Sequence, residues 1–206
     1  MGSRVRKRPA PKAELLPYIL AGVPQEGPID FHGVFGNSHP LEVEIGFGKG
    51  RYLLTAAELR RDHNFLGIEL SHGLVDFAAD RLRIRALTHT KVLHADALDV
   101  LQNHIAEASV RAVHFYFPDP WWKKRHHKRR VFKPELFEAI VGVLEPRGCL
   151  HIASDVPFVF EQLHTLALQR EEWTEVPAEP LACTTNFEDK AHRDGRPVQR
   201  TAFQKH

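Results

Sequence analysis

The sequence predicts an α/β protein whose core is a doubly wound, mostly parallel sheet. From residue 41 onward, short apolar runs alternate with amphipathic segments, a pattern typical of right-handed βαβ units. A glycine-rich turn follows the first apolar run, as in many sheets of this class. The length of 206 residues and the 43% hydrophobic content fit one domain with a full-sized core.

Five short runs rich in aliphatic and aromatic residues, each bounded by polar or turn residues, are predicted to be strands. Helices are predicted between them, because the intervening segments space apolar residues three and four apart. Pro134 favours a helix start, since proline suits the first turn. The predicted strands are Leu41–Phe47, Asn64–Leu70, Lys91–Ala95, Arg111–Phe117 and Cys149–Ala153. The predicted helices are Arg51–Leu59, Leu74–Ala86, Leu98–Ala106, Pro134–Leu144 and Phe158–Gln169.

The ends of the chain carry weaker patterns. Residues 1–40 hold six of the fourteen prolines and are predicted to form a mobile basic tail followed by an irregular lead-in. Residues 41–206 are predicted to form the single domain, and two short strands are expected from Thr174 onward.

Positive charge is concentrated in two runs. Residues 1–12 contain five Lys or Arg and residues 121–133 contain seven, with no acid in either run. Elsewhere 16 basic residues are outnumbered by 26 acidic ones, so the two runs stand out from an acidic body. This asymmetry favours a polyanionic partner.

Several classes of protein are disfavoured. No apolar run approaches the length of a membrane span, and no signal peptide is visible. Cys149 and Cys183 form neither a disulfide framework nor a metal pattern, and no metal site is predicted. A reducing cytoplasm fits best, and the sequence leaves open whether the chain is a monomer or a homodimer.

The turn Glu44-Ile45-Gly46-Phe47-Gly48-Lys49-Gly50 predicts a cofactor site. Glycine lets the backbone pass close to a ligand. Arg51 stands where a dinucleotide-binding turn has glycine or alanine, which favours S-adenosyl-L-methionine over NAD. Glu44 is expected to face the ammonium group of this cofactor, directly or through water.

Two more acids end the next predicted strands. Glu69 is placed to accept hydrogen bonds from ribose hydroxyls, and Asp96 to receive the adenine amino group, to cap the following helix, or both. All three acids fall on the carboxyl edge of the sheet, where open α/β sheets bind ligands.

The run from Val113 to Arg130 begins as a buried strand, reaches Asp119 between two prolines and continues into Trp121, Trp122 and the second basic run. A carboxylate beside aromatic faces and dense positive charge suits a site that holds a nucleobase and grips phosphates. A strand end followed by a solvated charge run is the alternative. For each tryptophan, stacking on an extruded base and packing beneath the loop are equally plausible.

These segments together resemble the bacterial tRNA (guanine-N7)-methyltransferase family. The resemblance rests on EIGFGKG at 44–50, FPDPW at 117–121 with the basic run behind it, Ser154-Asp155, TNFE at 185–188 and GRPV at 195–198. It implies a Rossmann-like class I methyltransferase sheet with a final antiparallel strand. It also implies transfer of a methyl group from S-adenosyl-L-methionine to a guanosine in the tRNA variable loop.

The resemblance also assigns roles to individual residues. Asp119 matches the proposed catalytic acid, and with Glu44, Glu69 and Asp96 it matches the cofactor-contacting or active-site acids. Substrate binding is implied for Lys123, Asp155, Thr185, Asn186, Phe187 and Glu188. Phe187 replaces a tyrosine that is frequent in the family. Contacts to the RNA backbone are expected from Lys124, Arg125, Lys128, Arg129 and Arg130, and an extension of the positive surface from Lys190, Arg193, Arg196 and Arg200.

Guanine N7 carries a lone pair and no proton, so methylation by direct displacement requires no base. Asp119 is therefore expected to position the guanine and to balance the positive charge that develops on it. For Asp155, the alternative is capping of the helix that begins near Val156; for residues 185–188, it is structural tethering of the tail. Three other functions stay open: methylation of another RNA or another base atom, an RNA-binding module with a vestigial core, and the disfavoured NAD-dependent oxidoreductase.

Overall fold

The computed structural model describes residues 10–118, 134–178 and 185–206. Within these ranges the chain forms a seven-stranded sheet with the order β3-β2-β1-β4-β5-β7-β6. β7 runs antiparallel to both of its neighbours, while the pairs from β3 to β5 are parallel. The strands are β1 Leu41–Ile45, β2 Asn64–Glu69, β3 Thr90–His94, β4 Val110–Tyr116, β5 Leu144–Ser154, β6 Trp173–Val176 and β7 Gln199–Lys205. The predicted fold class is confirmed.

Helices connect the strands and cover both faces of the sheet. In chain order they are α1 Lys12–Leu15, α2 Phe31–Phe35, α3 Arg51–Leu59, α4 His72–Ile84, α5 Ala97–Asn103, α6 Pro134–Val143, α7 Pro157–Leu168 and α8 Asn186–Arg193. A 3-10 turn, Leu16–Tyr18, follows α1. The five predicted helices are all present with ends shifted by a few residues. β5 starts at Leu144, earlier than predicted, because Leu144 pairs with Val110 ahead of a register shift.

Alternation along the strands separates two cores. Val43 of β1 and Val113 of β4 face the core that α5, α6 and α7 cover, and Leu66 of β2 joins them. Phe65 and Val92 face the opposite core with residues of α3 and α4. A parallel sheet covered on both faces requires such apolar strands.

The chain reverses direction across the sheet between β1 and β4. Ile45 and Phe115 are paired near the ends of these strands, so the turn after β1 and the segment after β4 leave the same edge side by side. Open α/β sheets bind their ligands in the crevice at such a switch point.

The prediction of an irregular lead-in holds in part for the described residues before β1: residues 20–30 form no helix or strand, but α1, the 3-10 turn and α2 are ordered elements. Leu15 and Tyr18 are buried against the core that contains α4, because their spacing of three puts both on one side of a helical turn. The backbone N–H of Leu20 donates to the Val92 carbonyl, with 2.9 Å between N and O. This segment therefore covers part of the β3 edge, which would otherwise expose unpaired backbone groups.

The prediction for the tail was incomplete. The two expected strands are present as β6 and β7, but α8 lies between them. Among the described side chains of α8, only those of Glu188 and Ala191 are buried. The segment therefore lacks the apolar periodicity that indicates a helix.

Candidate active site

The glycine turn after β1 has a backbone that requires glycine. Gly46, Gly48 and Gly50 have φ angles of +67°, +56° and +67°, a region that other residues rarely adopt. A Cβ atom added at Gly46 or Gly48 would meet no protein atom within 4 Å. The turn is thus a cradle with open space beside Gly46 and Gly48, and its binding of a cofactor stays a prediction.

Glu69 ties the end of β2 to this turn. Its Oε2 accepts a hydrogen bond from the Gly48 backbone N–H at 3.1 Å, and its Oε1 accepts one from the Ser71 N–H at 2.9 Å. A carboxylate has about four acceptor positions, so each oxygen can accept a further bond. Glu69 therefore keeps acceptor positions free beside the glycine turn.

Glu44 is a buried carboxylate beside the first turn of α3. Its Oε2 has no hydrogen-bond partner. Burial raises the pKa of Glu44 to about 8, the backbone N–H of Leu53 opposes this rise, and the charge of Glu69 adds to it. An unpaired buried acceptor is costly, so this carboxylate favours a ligand that brings a positive charge or hydrogen-bond donors.

Asp96 and Asp155 both have partners within the protein. Asp96 Oδ1 accepts a bond from the Leu98 N–H at 2.9 Å, so Asp96 caps α5 while remaining exposed. Asp155 forms an ion pair with Arg196. The alternative that Asp155 caps the next helix is wrong, because the cap position of α7 is Val156, whose backbone N–H donates to the Ser154 hydroxyl at 3.1 Å.

Thr185 begins α8 and caps it. Its Oγ1 accepts a bond from the Glu188 N–H at 3.0 Å, which accounts for the Thr-x-x-Glu spacing as a helix-start signal. Glu188 is buried, forms an ion pair with Arg200 and leaves Oε2 unpaired. Arg196 and Arg200, expected on a positive surface, are thus engaged in holding the tail.

Phe187 is the exposed aromatic residue of this segment. Its ring is stacked on that of Phe117, with centroids 6.1 Å apart and an interplanar angle of 16°. Phe117 has a φ angle of +50°, an unusual conformation for a residue with a side chain. Such strain clusters at functional sites, and here it lies directly before Pro118 and the segment of Asp119.

These elements surround one pocket. Four residues of the predicted site, Glu44, Gly46, Thr185 and Phe187, lie in its wall. Its described lining consists of Glu44, Gly46, Phe47, Lys49, Arg51, Tyr52, Tyr116, Thr185 and Phe187. Glu69, Asp96, Asp155 and Glu188 lie outside this lining, although Glu69 bonds to Gly48, which stands between the lining residues Phe47 and Lys49.

Part of the predicted site lies outside the described residues. This applies to Asp119, Trp121, Trp122, Lys123, Lys124, Arg125, Lys128, Arg129 and Arg130, and to the side chain of Asn186. Their proposed roles stay predictions.

Sequence reasoning missed a buried polar network beneath the pocket. His114 Nε2 donates to Glu42 Oε2 at 2.7 Å, and His114 Nδ1 lies 3.0 Å from the Tyr116 hydroxyl. Arg60 donates both to Glu42 and to the Tyr52 hydroxyl. Burial raises the pKa of Glu42, but the His114 hydrogen bond and nearby positive charges outweigh burial and leave this pKa below its usual value.

One signal for this network was present in the sequence. Glu42 and Glu44 alternate with apolar residues in β1, and His114 interrupts an otherwise apolar β4. Alternate side chains of a strand point to the same face, so Glu42 and Glu44 lie on one face of β1. The sequence does not show that β4 is the neighbouring strand, which the pairing of Glu44 with His114 establishes.

Comparisons with known proteins agree with this architecture. A family described as "Putative methyltransferase" matches residues 38–201. A tRNA (guanine-N(7)-)-methyltransferase of Rhodopirellula baltica is 33% identical, over 97% of this chain and 78% of its own length. A protein of the same name from Actinobacillus pleuropneumoniae is 34% identical, over 84% of this chain and 73% of its own length.

Solved structures share the fold. The 16S rRNA methyltransferase KamB superposes with a TM-score of 0.62 at 14% identity, over 91% of this chain and 96% of that chain. The aminoglycoside resistance methyltransferase NpmB1 superposes with a TM-score of 0.58 at 18% identity, over 82% and 89% respectively. At such identities the likeness establishes the fold alone.

Proposed function

Since the chain belongs to the tRNA (guanine-N(7)-)-methyltransferase family, we propose that it transfers a methyl group from S-adenosyl-L-methionine to N7 of a guanosine in the tRNA variable loop. Its relatives carry the name of this activity. The observation that carries the cofactor part is the pairing of an open glycine cradle with the unpaired, buried carboxylate of Glu44.

The residues at the pocket fit this cofactor. Glu44 offers an acceptor to an ammonium group, and Glu69 offers acceptors to ribose hydroxyls at the other side of the turn. S-adenosyl-L-methionine supplies an electrophilic methyl carbon on a positively charged sulfur. Asp96 keeps one carboxylate oxygen beyond its capping bond and lies at the end of β3, where we place the adenine amino group.

The acceptor requires alignment more than proton transfer. Guanine N7 has an in-plane lone pair and no proton, so the protein has to hold N7 in line with the methyl carbon and exclude water. Asp119 follows the strained Phe117 by two residues and is proposed to accept hydrogen bonds from guanine N1 and the exocyclic amino group. Its charge then offsets the positive charge that moves onto the purine during direct displacement.

Phe187 is the described residue best placed to touch the base. It lines the pocket, stacks on Phe117 and is 50% exposed, so one aromatic surface is available to an extruded purine. Aromatic side chains bind bases through such stacking. Lys123 and the basic run behind it are proposed to grip the phosphates around the extruded nucleotide.

No helix of the described residues is both long and apolar enough to cross a membrane.

A tRNA transcript with a modified acceptor atom tests the proposal. We expect labelled methyl groups to reach an unmodified transcript and not a transcript made with 7-deazaguanosine, in which carbon replaces N7. As the control, both transcripts should fold alike and bind the protein with the same affinity. Equal methylation of both transcripts would contradict N7 as the acceptor.

A further inference from the structure

The wall of the pocket next to Glu44 is built from two tyrosine rings. Tyr52 of α3 and Tyr116 of β4 are 1% and 6% exposed, and their rings meet edge to face with centroids 4.9 Å apart. Both residues line the pocket. Aromatic rings present a negative face, and a cation within about 6 Å of the ring centre is attracted to it.

The hydroxyls of these tyrosines are occupied behind the pocket. The Tyr116 hydroxyl lies 3.0 Å from His114 Nδ1, and the Tyr52 hydroxyl accepts a bond from Arg60 at 3.0 Å. His114 is in turn held by Glu42, and both side chains are 2% exposed. Because the hydroxyls are held there, we expect Tyr116 to offer the pocket ring atoms rather than a hydrogen-bonding group.

Burying the Glu42 carboxylate with the His114 imidazole has a high desolvation cost. The loss of hydration largely offsets the attraction within such a buried pair, so it adds little stability and is better explained by the orientation that it gives to Tyr116. His114 has its ring stacked on His151 at 5.1 Å, which further restricts its rotation. The network thus fixes the ring of Tyr116 relative to β1 and Glu44.

The basic residues near the pocket leave a cationic ligand unopposed at this wall, since Arg200, whose charge acts on Tyr116, is paired with Glu188. Glu44 is unpaired at Oε2. Of the two basic residues in the lining, Arg51 forms an ion pair with Asp189, and Lys49 has an exposed side chain that can extend into water. Neither cation therefore has to face the tyrosine rings.

We propose that Tyr116, oriented by the buried His114–Glu42 pair, is a specificity-determining residue whose ring faces the positive sulfur of the cofactor and distinguishes it from the neutral, demethylated product. The inference rests on the proposed function, since it presumes S-adenosyl-L-methionine as the ligand. The product S-adenosyl-L-homocysteine lacks the sulfonium charge and loses this attraction.

The affinities of the protein for both compounds, measured by calorimetry in the absence of tRNA, test the inference independently of methyl transfer. We expect Tyr116→Leu to lower the preference for S-adenosyl-L-methionine over S-adenosyl-L-homocysteine by about 3- to 30-fold, chiefly through weaker binding of the former. Tyr18→Leu replaces a similarly buried tyrosine that lies outside the pocket lining, and should leave the preference unchanged. A general loss of packing in Tyr116→Leu would weaken the binding of both compounds alike and leave the preference unchanged.

The role of His114 is tested by a double-mutant cycle. His114→Gln should lower the preference in the wild-type background, because Tyr116 loses its fixed partner. In the Tyr116→Leu background the same substitution should change nothing further. Equal effects in both backgrounds would show that His114 does not act through Tyr116.

Changing the electron density of the ring at position 116 tests the attraction while leaving the packing nearly unchanged. Phenylalanines with increasing fluorination at position 116 should weaken S-adenosyl-L-methionine stepwise relative to Tyr116→Phe, while S-adenosyl-L-homocysteine binds with constant affinity. A flat series, or an unchanged preference in Tyr116→Leu, would overturn the inference and leave the proposed function intact. Absence of binding by either compound to the wild type would instead contradict the proposed function.

Discussion

Glu69 and Gly48 are joined by a hydrogen bond between the carboxylate of one and the backbone N–H of the other, 3.1 Å apart. This bond fixes the glycine turn relative to β2, and it orients the carboxylate toward the pocket edge. The same group thus shapes the cradle and is proposed to bind the cofactor's ribose.

Glu69→Gln separates these two functions. The amide oxygen can still accept the Gly48 bond, but the amide nitrogen cannot accept the bond from the Ser71 N–H, and the charge that strengthens hydrogen bonds to the ribose is removed. We expect affinity for S-adenosyl-L-methionine to fall about 10- to 100-fold, the usual range for hydrogen bonds to charged groups. Calorimetry measures the change in affinity, and thermal unfolding measures the cost of the lost Ser71 bond, about 1–3 kcal/mol. Unchanged affinity would contradict the ribose assignment.

Glu44 predicts an unusual pH dependence of stability. Its pKa is about 8 when folded, compared with 4.5 as the ordinary value. Between these values the folded protein holds a proton that the unfolded chain has released, so the free energy of unfolding falls as pH rises. We expect the free energy of unfolding of Glu44→Gln not to fall with pH in this way. It should exceed that of the wild type by about 1–3 kcal/mol at pH 8.5 and should equal it near pH 4.

Chemical denaturation across this pH range measures the difference. Glu172→Gln, at an exposed acid, is the matched control and should follow the wild type. The gain in stability should come with weaker cofactor binding, because the ammonium loses the negative charge of its acceptor. A stability difference that does not vary with pH would contradict the raised pKa.

The ion pair between Asp155 and Arg196 predicts how the tail is held. Asp155 is mostly buried at the end of β5, and Arg196 follows α8, so the pair ties the tail to the sheet. We expect Asp155→Asn to cost about 0.5–1 kcal/mol locally and to speed hydrogen exchange of the α8 amides several-fold. Asp194→Asn is the control, because Asp194 also pairs with Arg196 but lies within the tail. Equal exchange in the two variants would contradict the tether.

The second basic run predicts salt-dependent binding of tRNA. Each phosphate that the protein neutralises releases counterions, so affinity should fall steeply with salt concentration. Replacing Lys128, Arg129 and Arg130 by glutamine should reduce the slope of log affinity against log salt by about one for each phosphate that is no longer neutralised. Arg111→Gln is the control, since Arg111 lies at the start of β4, away from the pocket edge. A flat response in the wild type would contradict the basic-run assignment.

The parallel core could be predicted from sequence because its signals are local. Each strand from β1 to β5 contains a short segment rich in aliphatic or aromatic residues, and the glycines at 46, 48 and 50 indicate a turn with positive φ angles. Glu44 and Glu69 were placed correctly beside this turn, since parallel strands bring their carboxyl ends to one edge.

The parts that were missed depend on contacts between distant segments. α8 is polar, and its capping by Thr185 and its ion pair through Arg51 form only when the tail packs across α3. The lead-in is rich in proline, which obscures the buried pair Leu15 and Tyr18. The network of Glu42 and His114 joins residues 72 positions apart, so the polar residues within β1 and β4 could be seen in the sequence but their pairing could not.

Mapping the methyl group on tRNA tests the proposed reaction and the role of Asp119 together. Labelled S-adenosyl-L-methionine is supplied with an unmodified tRNA transcript, and the product is cleaved chemically at N7-methylguanosine. We predict one modified guanosine in the variable loop, with turnover sharply reduced in Asp119→Asn while tRNA affinity is nearly intact. Methylation at another position or atom, or full turnover in Asp119→Asn, would contradict the account.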